Sequence, residues 1–305
     1  MPSVAHDDIS TIAWVGTGVM GAPMCGHLLD AGYDVRIASR TAERVAPLVD
    51  RGAKSCATPA EAAEGVDMVV TMVGYPSDVR EVILGASGVL HTARRGAIVA
   101  DMTTSEPQLA KEIFDVAASK GIAALDAPVS GGDVGARNAT LVVMAGGLEE
   151  DFQRALPVFK RLGKVATLEG GPGAGQHTKM ANQVAIASGM IGVCEALLYA
   201  SRAGLDVAKV IDTISPGAAG SWSLSNYGPR ALRGDFTPGF KVDHFIKDLG
   251  IALAEAQRIG LALPGLALAQ QLYVATRARG MGDKGTHALL VTLAELSQAR
   301  WEAPA

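Results

Sequence analysis

The sequence predicts an α/β domain with a mostly parallel sheet, followed by an all-α domain. From residue 11 to residue 168, short apolar runs alternate with longer amphipathic runs, which is the pattern of parallel strands joined by crossover helices. Beyond a glycine-rich segment at Glu169–Gly175, strand-like runs almost disappear and helical periodicity takes over. We therefore predict an N-terminal tail over residues 1–10, an α/β domain over residues 11–170 and a helical domain over residues 171–305.

The predicted strands of the first domain are short and continuously apolar, as expected where both faces of a sheet are buried. They are Thr11–Val15, Asp34–Ala38, Met68–Val73, Ile98–Asp101, Ala123–Ala127 and Thr140–Ala145. Helices are predicted between several of them, at Val19–Ala31, Ala42–Asp50 and Glu106–Lys120. In the second domain the predicted helices are Gln176–Ala203, which Gly204 ends, and then Ala208–Ile214, Lys247–Ile259, Leu266–Arg279 and His287–Trp301.

The composition argues against several classes of protein. Lys and Arg together number 27 against 31 Asp and Glu, so a net charge of −4 provides no basic surface for nucleic acid. Cys25, Cys56 and Cys194 are too few and too widely spaced for a disulfide framework or a zinc site, and no metal is predicted. The uncharged stretch Ile259–Thr276 is interrupted by proline and glutamine, so we expect a buried helix and no membrane contact. Residues 1–10 lack signal-peptide features, and we expect a cytoplasmic protein.

A glycine-rich turn joins the first predicted strand to the first predicted helix. It reads Gly16-Thr17-Gly18-Val19-Met20-Gly21, the G-x-G-x-x-G pattern in its strand-turn-helix context. The first glycine permits a tight turn, the second lets the backbone approach a pyrophosphate, and the third lets the helix pack against the strand. These six residues are therefore predicted to bind a dinucleotide in a Rossmann domain. A structural turn without a ligand is the alternative.

The end of the second predicted strand indicates which dinucleotide binds. An NAD site usually carries Asp or Glu about 20 residues after the glycine-rich turn, where it binds the ribose 2′-hydroxyl. Here the strand ends in Ala38-Ser39-Arg40-Thr41, in which two hydroxyls and a guanidinium can hold a 2′-phosphate. We predict that NADP(H) is preferred and that Ser39, Arg40 and Thr41 contact it. NAD(H) stays possible if Arg40 stacks on adenine or lies in solvent.

Four motifs resemble those of the β-hydroxyacid dehydrogenases, a family that includes 3-hydroxyisobutyrate dehydrogenase, tartronate semialdehyde reductase and the glyoxylate and succinic semialdehyde reductases. They are, in the family's order, Gly16–Met24, Asp126–Gly132, Gly173–Gln183 and Lys247–Leu249. The resemblance implies a Rossmann domain, a long interdomain helix and an all-α domain. It also implies hydride transfer between a nicotinamide and a small, carboxylate-bearing β-hydroxyacid or its semialdehyde or keto form. A homodimer or homotetramer formed through the helical domain is expected as well.

The resemblance assigns the proton-transfer role to Lys179. On spacing alone this residue reads as a solvated helix lysine, and it is the surrounding motif that favours a general acid–base. Asn182 and Gln183 follow at i+3 and i+4, so they share its helical face and are predicted to be catalytic too. Many members of the resembled family have Asn four residues after the lysine. Here that position is Gln183, and Asn182 stands at the third position.

The turn at Ser130, Gly131 and Gly132 is predicted to bind the substrate carboxylate. Backbone N–H groups and a serine hydroxyl at such a turn can surround an anion, although a tight strand-to-loop turn is the alternative. Lys179 and Gln183 are also expected to contact the substrate.

Further residues are assigned by position and motif. By resemblance, Thr104 and the Val73 region contact the cofactor or the substrate, and we assign them to the cofactor. The resemblance also implies that Lys247 contacts the cofactor, although on pattern alone it could be a surface lysine of an amphipathic helix. Asp101 and Asp126 end predicted strands, and we expect them to cap or orient loops.

Two other functions compete with this one. An imine reductase has a similar architecture, but those enzymes usually replace the catalytic lysine, so Lys179 argues against it. A non-catalytic dinucleotide-binding sensor would keep the glycine-rich turn and lose the lysine and the carboxylate-binding turn, and this chain has both.

Overall fold

Nine strands form one sheet in the part of the chain that the structure describes. A computed structural model describes residues 9–299 and residue 301, and the first compact unit ends at Lys179. The strands are β1 (Thr11–Val15), β2 (Asp34–Ala38), β3 (Lys54–Cys56), β4 (Met68–Thr71), β5 (Ile98–Asp101), β6 (Ala123–Asp126), β7 (Val129–Ser130), β8 (Leu141–Gly146) and β9 (Gly163–Gly170). Their order is β3-β2-β1-β4-β5-β6-β8, with β7 and β9 also paired to β8. The first six positions follow the Rossmann order 3-2-1-4-5-6, which confirms the predicted fold.

Most neighbouring strands in this sheet are parallel. Both antiparallel pairs among the described strands involve β8, which runs antiparallel to β6 and β7 and parallel to β9. Parallel neighbours need crossovers, and helices supply several of them. The helices of this unit are α1 (Gly21–Asp30), α2 (Ala42–Val49), α3 (Pro59–Ala63), α4 (Pro76–Leu84), α5 (Pro107–Ser119), α6 (Gly132–Arg137) and α7 (Glu149–Leu162), with a 3₁₀ turn at Val89–His91. Proline opens α3, α4 and α5, where its missing N–H costs no helical hydrogen bond.

The alternation of side chains along β1 divides the interior of this unit into two apolar cores. Ile12 and Trp14 join the core that also contains Met24, while Ala13 and Val15 join the core that contains Val69. Both faces of the sheet are therefore covered, as the continuously apolar strands predict.

The second compact unit begins at Met180 and is helical. Its helices follow the start of α8 (Ala174–Arg202) and are α9 (Val207–Ile214), α10 (Trp222–Leu232), α11 (Val242–Arg258), α12 (Pro264–Thr276) and α13 (Leu289–Leu296), with a π-type turn at Arg277–Met281 and a 3₁₀ turn at Thr286–Ala288. Phe245 and Tyr273 pack edge to face at 4.9 Å in its core. Beyond Gly170 the described residues contain no strand, only an isolated bridge between Lys241 and Gly285, which confirms the all-α prediction.

Helix α8 begins in the first unit and continues into the second. The compact units divide between Lys179 and Met180, whereas the sequence places the boundary after residue 170. The difference arises because the first turn of α8 is bonded to the ends of strands, as described below. By length and composition alone α8 could cross a membrane, a test that core helices of soluble proteins also pass.

Several predicted boundaries are wrong in detail. The predicted helix His287–Trp301 is in fact a 3₁₀ turn followed by α13, and the chain beyond takes a positive φ at Gln298. The predicted helix Leu266–Arg279 ends early in the π-type turn, where Gly280 has a φ of +78°. Of the predicted tail, only Ile9 and Ser10 lie within the described residues.

Candidate active site

The glycine-rich turn has the geometry that its sequence predicts. Gly16 has a φ of +101°, and a Cβ atom there would lie 2.3 Å from the carbonyl oxygen of Met72. A Cβ atom at Gly21 would lie 2.1 Å from the carbonyl oxygen of Gly16. Real Cβ atoms do not approach other atoms this closely. Glycine at residue 16 therefore lets the turn pack against Met72, and glycine at residue 21 lets α1 start against the end of β1.

Gly18 lies on the open side of the same turn. A Cβ atom at Gly18 would meet no atom within 4 Å, so packing inside the protein does not require glycine here. No side chain caps the N-terminus of α1, which follows the turn. A bare backbone beside the positive end of a helix dipole suits a pyrophosphate. The residues of this turn therefore fit a dinucleotide cofactor.

The residues after β2 are tied to this turn and to α4. The Thr17 hydroxyl donates a hydrogen bond to Ser39 Oγ at 2.7 Å. The Arg40 side chain is 84% exposed, and its Nη1 lies 3.0 Å from Oδ1 of Asp78. The other oxygen of Asp78 accepts a hydrogen bond from the backbone N–H of Tyr75 at the start of α4. The fold thus brings a carboxylate to Arg40 that the local sequence does not contain.

The loops after β4 and β5 are joined at the carboxyl edge of the sheet. The backbone N–H of Val73 donates to Thr103 Oγ1 at 3.0 Å. Oδ1 of Asp101 accepts hydrogen bonds from the Thr71 hydroxyl at 2.7 Å and from the backbone N–H of Thr103 at 3.1 Å. The prediction that Asp101 orients a loop is confirmed. Ligands of open α/β sheets bind at this edge, where Val73 and Thr104 are predicted to act.

The turn at residues 130–132 begins in a short strand that is not among the predicted ones. Ser130 lies in β7, which pairs antiparallel with β8, opposite Val142. This two-residue strand depends on a partner distant in sequence, so local periodicity cannot reveal it. Gly131 and Gly132 then have φ values of +129° and +61°, and α6 starts at Gly132. A Cβ atom at Gly132 would meet no atom within 4 Å, so there is open space beside this residue.

Lys179 is buried, with 7% of its surface exposed. Its ammonium group donates a hydrogen bond to the carbonyl oxygen of Val129 at 2.8 Å. Val129 directly precedes Ser130, so the lysine and the Ser130–Gly132 turn are held by the same short strand. The reading of Lys179 as a solvated helix lysine is therefore excluded by its burial.

Asp126, at the end of β6, caps α8 from a distance. Its two carboxylate oxygens accept hydrogen bonds from the backbone N–H groups of Gly173 at 2.7 Å and Gln176 at 2.8 Å. These are N–H groups that the helix itself leaves unpaired. Burial raises the pKa of Asp126 to about 6, although the two hydrogen bonds favour its charged form. The predicted capping role of Asp126 is confirmed, and it fixes the helical turn that precedes Lys179.

In the second unit, Asn182, Gln183 and Lys247 belong to one buried network. Asn182 Nδ2 donates to Gln183 Oε1 at 2.8 Å, and Gln183 Nε2 donates to Asp248 Oδ2 at 2.5 Å. Lys247 Nζ lies 2.8 Å from the other oxygen of Asp248. Burial, followed by the charge of Lys247, lowers the pKa of His244 on the same helix. Asp248 thus orients the Gln183 amide and holds the Lys247 ammonium.

Comparisons with known proteins identify the family. Residues 11–171 match the family described as the NAD binding domain of 6-phosphogluconate dehydrogenase. Residues 173–293 match the family described as the NAD-binding of NADP-dependent 3-hydroxyisobutyrate dehydrogenase. The probable 3-hydroxyisobutyrate dehydrogenase-like 1, mitochondrial, of Arabidopsis thaliana is 54% identical over 94% of this chain and 86% of its own length. The chain belongs to the β-hydroxyacid dehydrogenase family.

Two further known proteins are similar to this β-hydroxyacid dehydrogenase over nearly their whole length. The 2-hydroxy-3-oxopropionate reductase of Escherichia coli strain K12 is 37% identical over 93% of this chain and 97% of its own length. The structure of Mycobacterium tuberculosis 3-hydroxyisobutyrate dehydrogenase with L-serine is 32% identical, with a TM-score of 0.84, and the match covers 93% of this chain and 99% of that one. The protein is an NAD(P)-dependent hydroxyacid dehydrogenase acting on a CH–OH group, which confirms the predicted activity.

The predicted site residues of this dehydrogenase fall into a group in each unit. In the first unit, the glycine-rich turn and the predicted cofactor contacts Ser39–Thr41, Val73 and Thr104 follow the carboxyl ends of β1, β2, β4 and β5. The Lys179 ammonium bonds to β7 beside the Ser130 turn. In the second unit, Asp248 joins Asn182, Gln183 and Lys247 in one hydrogen-bonded network. Sequence reasoning gave no site role to Asp78, Gln176 or Asp248. Gln176 and Asp248 lie inside the motifs that carry Lys179 and Lys247, so their positions could have indicated a role in the site. Nothing in the sequence around Asp78 indicates such a role.

Proposed function

We propose that this β-hydroxyacid dehydrogenase transfers a hydride between NADP(H) and a small 3-hydroxy acid or its semialdehyde, with Lys179 as the general acid–base. The observation that carries the proposal is the buried Lys179 ammonium, hydrogen-bonded at 2.8 Å to Val129 beside the Ser130–Gly132 turn. This arrangement places a proton donor next to a candidate anion site.

Lys179 handles the proton in this proposal. In reduction its ammonium group donates a hydrogen bond and then the proton to the substrate carbonyl oxygen, and in oxidation the neutral amine accepts the hydroxyl proton. A bound nicotinamide supplies or takes the hydride. Asn182 and Gln183 follow on the same helix and orient the reacting oxygen. The Val129 carbonyl holds the ammonium in place between turnovers.

The Ser130–Gly132 turn binds the substrate carboxylate in this proposal. The names of two relatives, 3-hydroxyisobutyrate dehydrogenase and 2-hydroxy-3-oxopropionate reductase, denote molecules with a carboxylate and a reacting oxygen on the third carbon. Open space above Gly132 and the Ser130 hydroxyl support an anion at this turn. We infer the same substrate class here, namely a short chain with a carboxylate two bonds from the carbon that reacts.

The preference for NADP(H) rests on Ser39, Arg40 and Thr41. Arg40 projects into solvent after β2, where a guanidinium can pair with a 2′-phosphate. The turn at residues 16–21 holds the pyrophosphate, and Val73, Thr104 and Lys247 contact the rest of the cofactor. Asp78 competes for Arg40 and lowers the affinity that the guanidinium would otherwise provide.

A reductase assay tests the proposed function. Purified protein is mixed with NADPH or NADH and with tartronate semialdehyde, methylmalonate semialdehyde, succinic semialdehyde or glyoxylate, and oxidation is followed at the nicotinamide absorbance. We expect the highest kcat/KM with NADPH and a three-carbon semialdehyde acid. Lack of turnover with every acid, together with turnover of a cyclic imine, would establish the imine reductase alternative instead.

We further propose a homodimer or homotetramer formed through the helical unit. Gly189 and Gly192 lie on the exposed side of α8, and a Cβ atom at either would meet nothing within 4 Å. Glycine inside a helix costs about 1 kcal/mol relative to alanine, which a close approach of two copies would offset. Tyr199 on the same helix is 76% exposed. Light scattering should give the mass of two or four chains, and Gly192→Glu should reduce it; a monomeric wild type contradicts the proposal.

A cytoplasmic location is proposed as well. All three cysteines are free, which suits a reducing compartment. The Arabidopsis relative carries the word mitochondrial in its name, so fractionation of the source cells is the deciding measurement. Recovery in an organelle fraction would contradict the proposal.

A further inference from the structure

Gln176 is fully buried, and both ends of its side-chain amide are used. Its Oε1 accepts a hydrogen bond from the backbone N–H of Ser105 at 2.9 Å. Its Nε2 donates to the backbone carbonyl of Thr103 at 2.8 Å. The two bonds lie on either side of Thr104, the residue predicted to contact the cofactor. One side chain therefore replaces the pairing that a neighbouring strand would give this loop.

The same residue is also part of the helix start that leads to the lysine. Its backbone N–H donates to Asp126 Oδ2 at 2.8 Å. Lys179 follows at i+3, so both side chains lie on neighbouring positions of one helical face. The loop after β5 and the turn that carries Lys179 are thereby joined through a single buried side chain.

We propose that Gln176 is a positioning residue that fixes Thr104 relative to Lys179 by holding the Thr103–Ser105 loop against the first turn of α8. The inference rests on the proposed roles of Thr104 and Lys179. An amide suits this position because it donates and accepts at once and remains neutral. A buried amide with either bond missing would leave a backbone group of the loop without a partner.

The chemistry of the amide provides a selective test with Gln176→Glu. An ionised glutamate can still accept from Ser105, but it turns a second acceptor towards the Thr103 carbonyl. A protonated glutamate restores the donor, and burial raises the pKa of such a carboxyl. The Gln176→Glu protein should therefore behave like the wild type at low pH and lack the hydrogen bond to the Thr103 carbonyl at high pH. Gln176→Met has a similar shape and can make neither bond at any pH.

Two measurements on the folded, full-length protein show whether residue 176 holds the Thr103–Ser105 loop. The first is the Kd for NADPH by titration calorimetry without substrate, and the second is amide hydrogen exchange of the peptide containing Ser105 without cofactor. Both are made from about pH 5 to about pH 8 on the wild type, on both variants and on Gln257→Glu, which adds the same charge at an exposed site. Thermal melts check folding. The carboxylates of Asp126 and Asp101 accept hydrogen bonds from the backbone N–H groups of Gln176 and Thr103, so each variant is expressed as its ratio to the wild type at the same pH to remove their contribution.

We expect Gln176→Glu to bind NADPH about tenfold more weakly at the higher pH, with faster exchange at Ser105, and to approach the wild type as the pH falls. Gln176→Met should be impaired throughout, and Gln257→Glu at no pH. Equal impairment of the Glu variant at every pH would overturn the proposal, as would wild-type behaviour of both Gln176 variants. Should the wild type bind no NADPH, the proposed function fails, while the exchange ratios still decide whether Gln176 holds the loop.

Discussion

The ammonium group of Lys179 donates a hydrogen bond to the carbonyl oxygen of Val129 over 2.8 Å. Val129 pairs with Val143 in the sheet, so a backbone atom of a strand determines where the buried lysine points. The next residue, Ser130, begins the turn that we propose for the substrate carboxylate. The position of the proton donor relative to this turn therefore depends on a main-chain atom of β7.

Replacing Lys179 should remove proton transfer and leave cofactor binding intact. We expect Lys179→Ala to lower kcat by about 10²–10⁴-fold, the usual contribution of a general acid–base. Lys179→Arg should fail too, because a guanidinium does not release its proton near neutral pH. The rise of alcohol oxidation with pH should vanish in the Ala variant. A near-normal kcat with an unchanged pH profile would exclude Lys179 from this role.

The Arg40–Asp78 pair should control the choice of cofactor. Arg40→Ala removes one charge-assisted contact, so NADP binding should weaken by about 1.5–3 kcal/mol while NAD binding changes little. Asp78→Asn should have the opposite effect, because it releases Arg40 and removes a charge that repels a 2′-phosphate. The side-chain oxygen of the asparagine can still accept the hydrogen bond that the Tyr75 N–H donates to Asp78, which keeps the start of α4. The Kd values for both cofactors are the measurement, and equal losses for NADP and NAD in Arg40→Ala would contradict the assignment.

A change at Gly131 should lower turnover of the acid substrate and leave cofactor binding almost unchanged. Gly131 has a φ of +129°, a region that side chains with a Cβ rarely adopt, so Gly131→Val should distort the turn. We expect kcat/KM to fall strongly with the Kd for NADPH almost unchanged. As an independent check, a neutral amide analogue of the substrate should react poorly with the wild type. Equal turnover of acid and amide would show that the turn binds no carboxylate.

Gly175 should be required for the start of α8 to pack against β6 and β8. A Cβ atom there would lie 2.4 Å from the Met144 carbonyl oxygen and 2.6 Å from that of Asp126. Gly175→Ala should therefore lower the free energy of unfolding by about 1–3 kcal/mol and displace Lys179, which lowers kcat. Gly171→Ala is the matched control, because a Cβ atom at Gly171 meets nothing within 4 Å. Urea denaturation measures both variants, and indistinguishable stabilities would contradict this packing.

Asp67 should stabilise the fold at neutral pH, and this stabilisation should be lost at acidic pH. Although burial opposes ionisation, hydrogen bonds from Ser10, Thr11 and Arg94 hold the pKa of Asp67 well below its usual range. A lowered pKa stabilises the fold above the unfolded value of about 3.9 and loses that effect as the pH falls towards the folded value. Asp67→Asn should cost about 1–3 kcal/mol at pH 7 and progressively less below about pH 4. The difference in urea midpoint between the two proteins should shrink accordingly, and an equal difference at both pH values would refute the assignment.

The strands buried on both faces were predictable because their apolar runs are continuous. The short, largely exposed strand β3 was not predicted, and neither were β7 and β9. β7 is only two residues long, and β9 is largely exposed, so neither carries the apolar signal of a buried strand. Both form because β8 offers them backbone partners, which depends on strand order and not on local composition.

The Rossmann unit, the helical unit and the family were predictable from the sequence, because motifs such as Gly16–Gly21 and Gly173–Gln183 are contiguous. The partners of the predicted site residues depend on the fold. Arg40 meets Asp78, Lys179 meets the Val129 carbonyl, and Gln176 meets the loop around Thr104. Each pair joins residues that lie in separate elements far apart in the chain, so its contact depends on how the strands are ordered and packed and not on the local sequence.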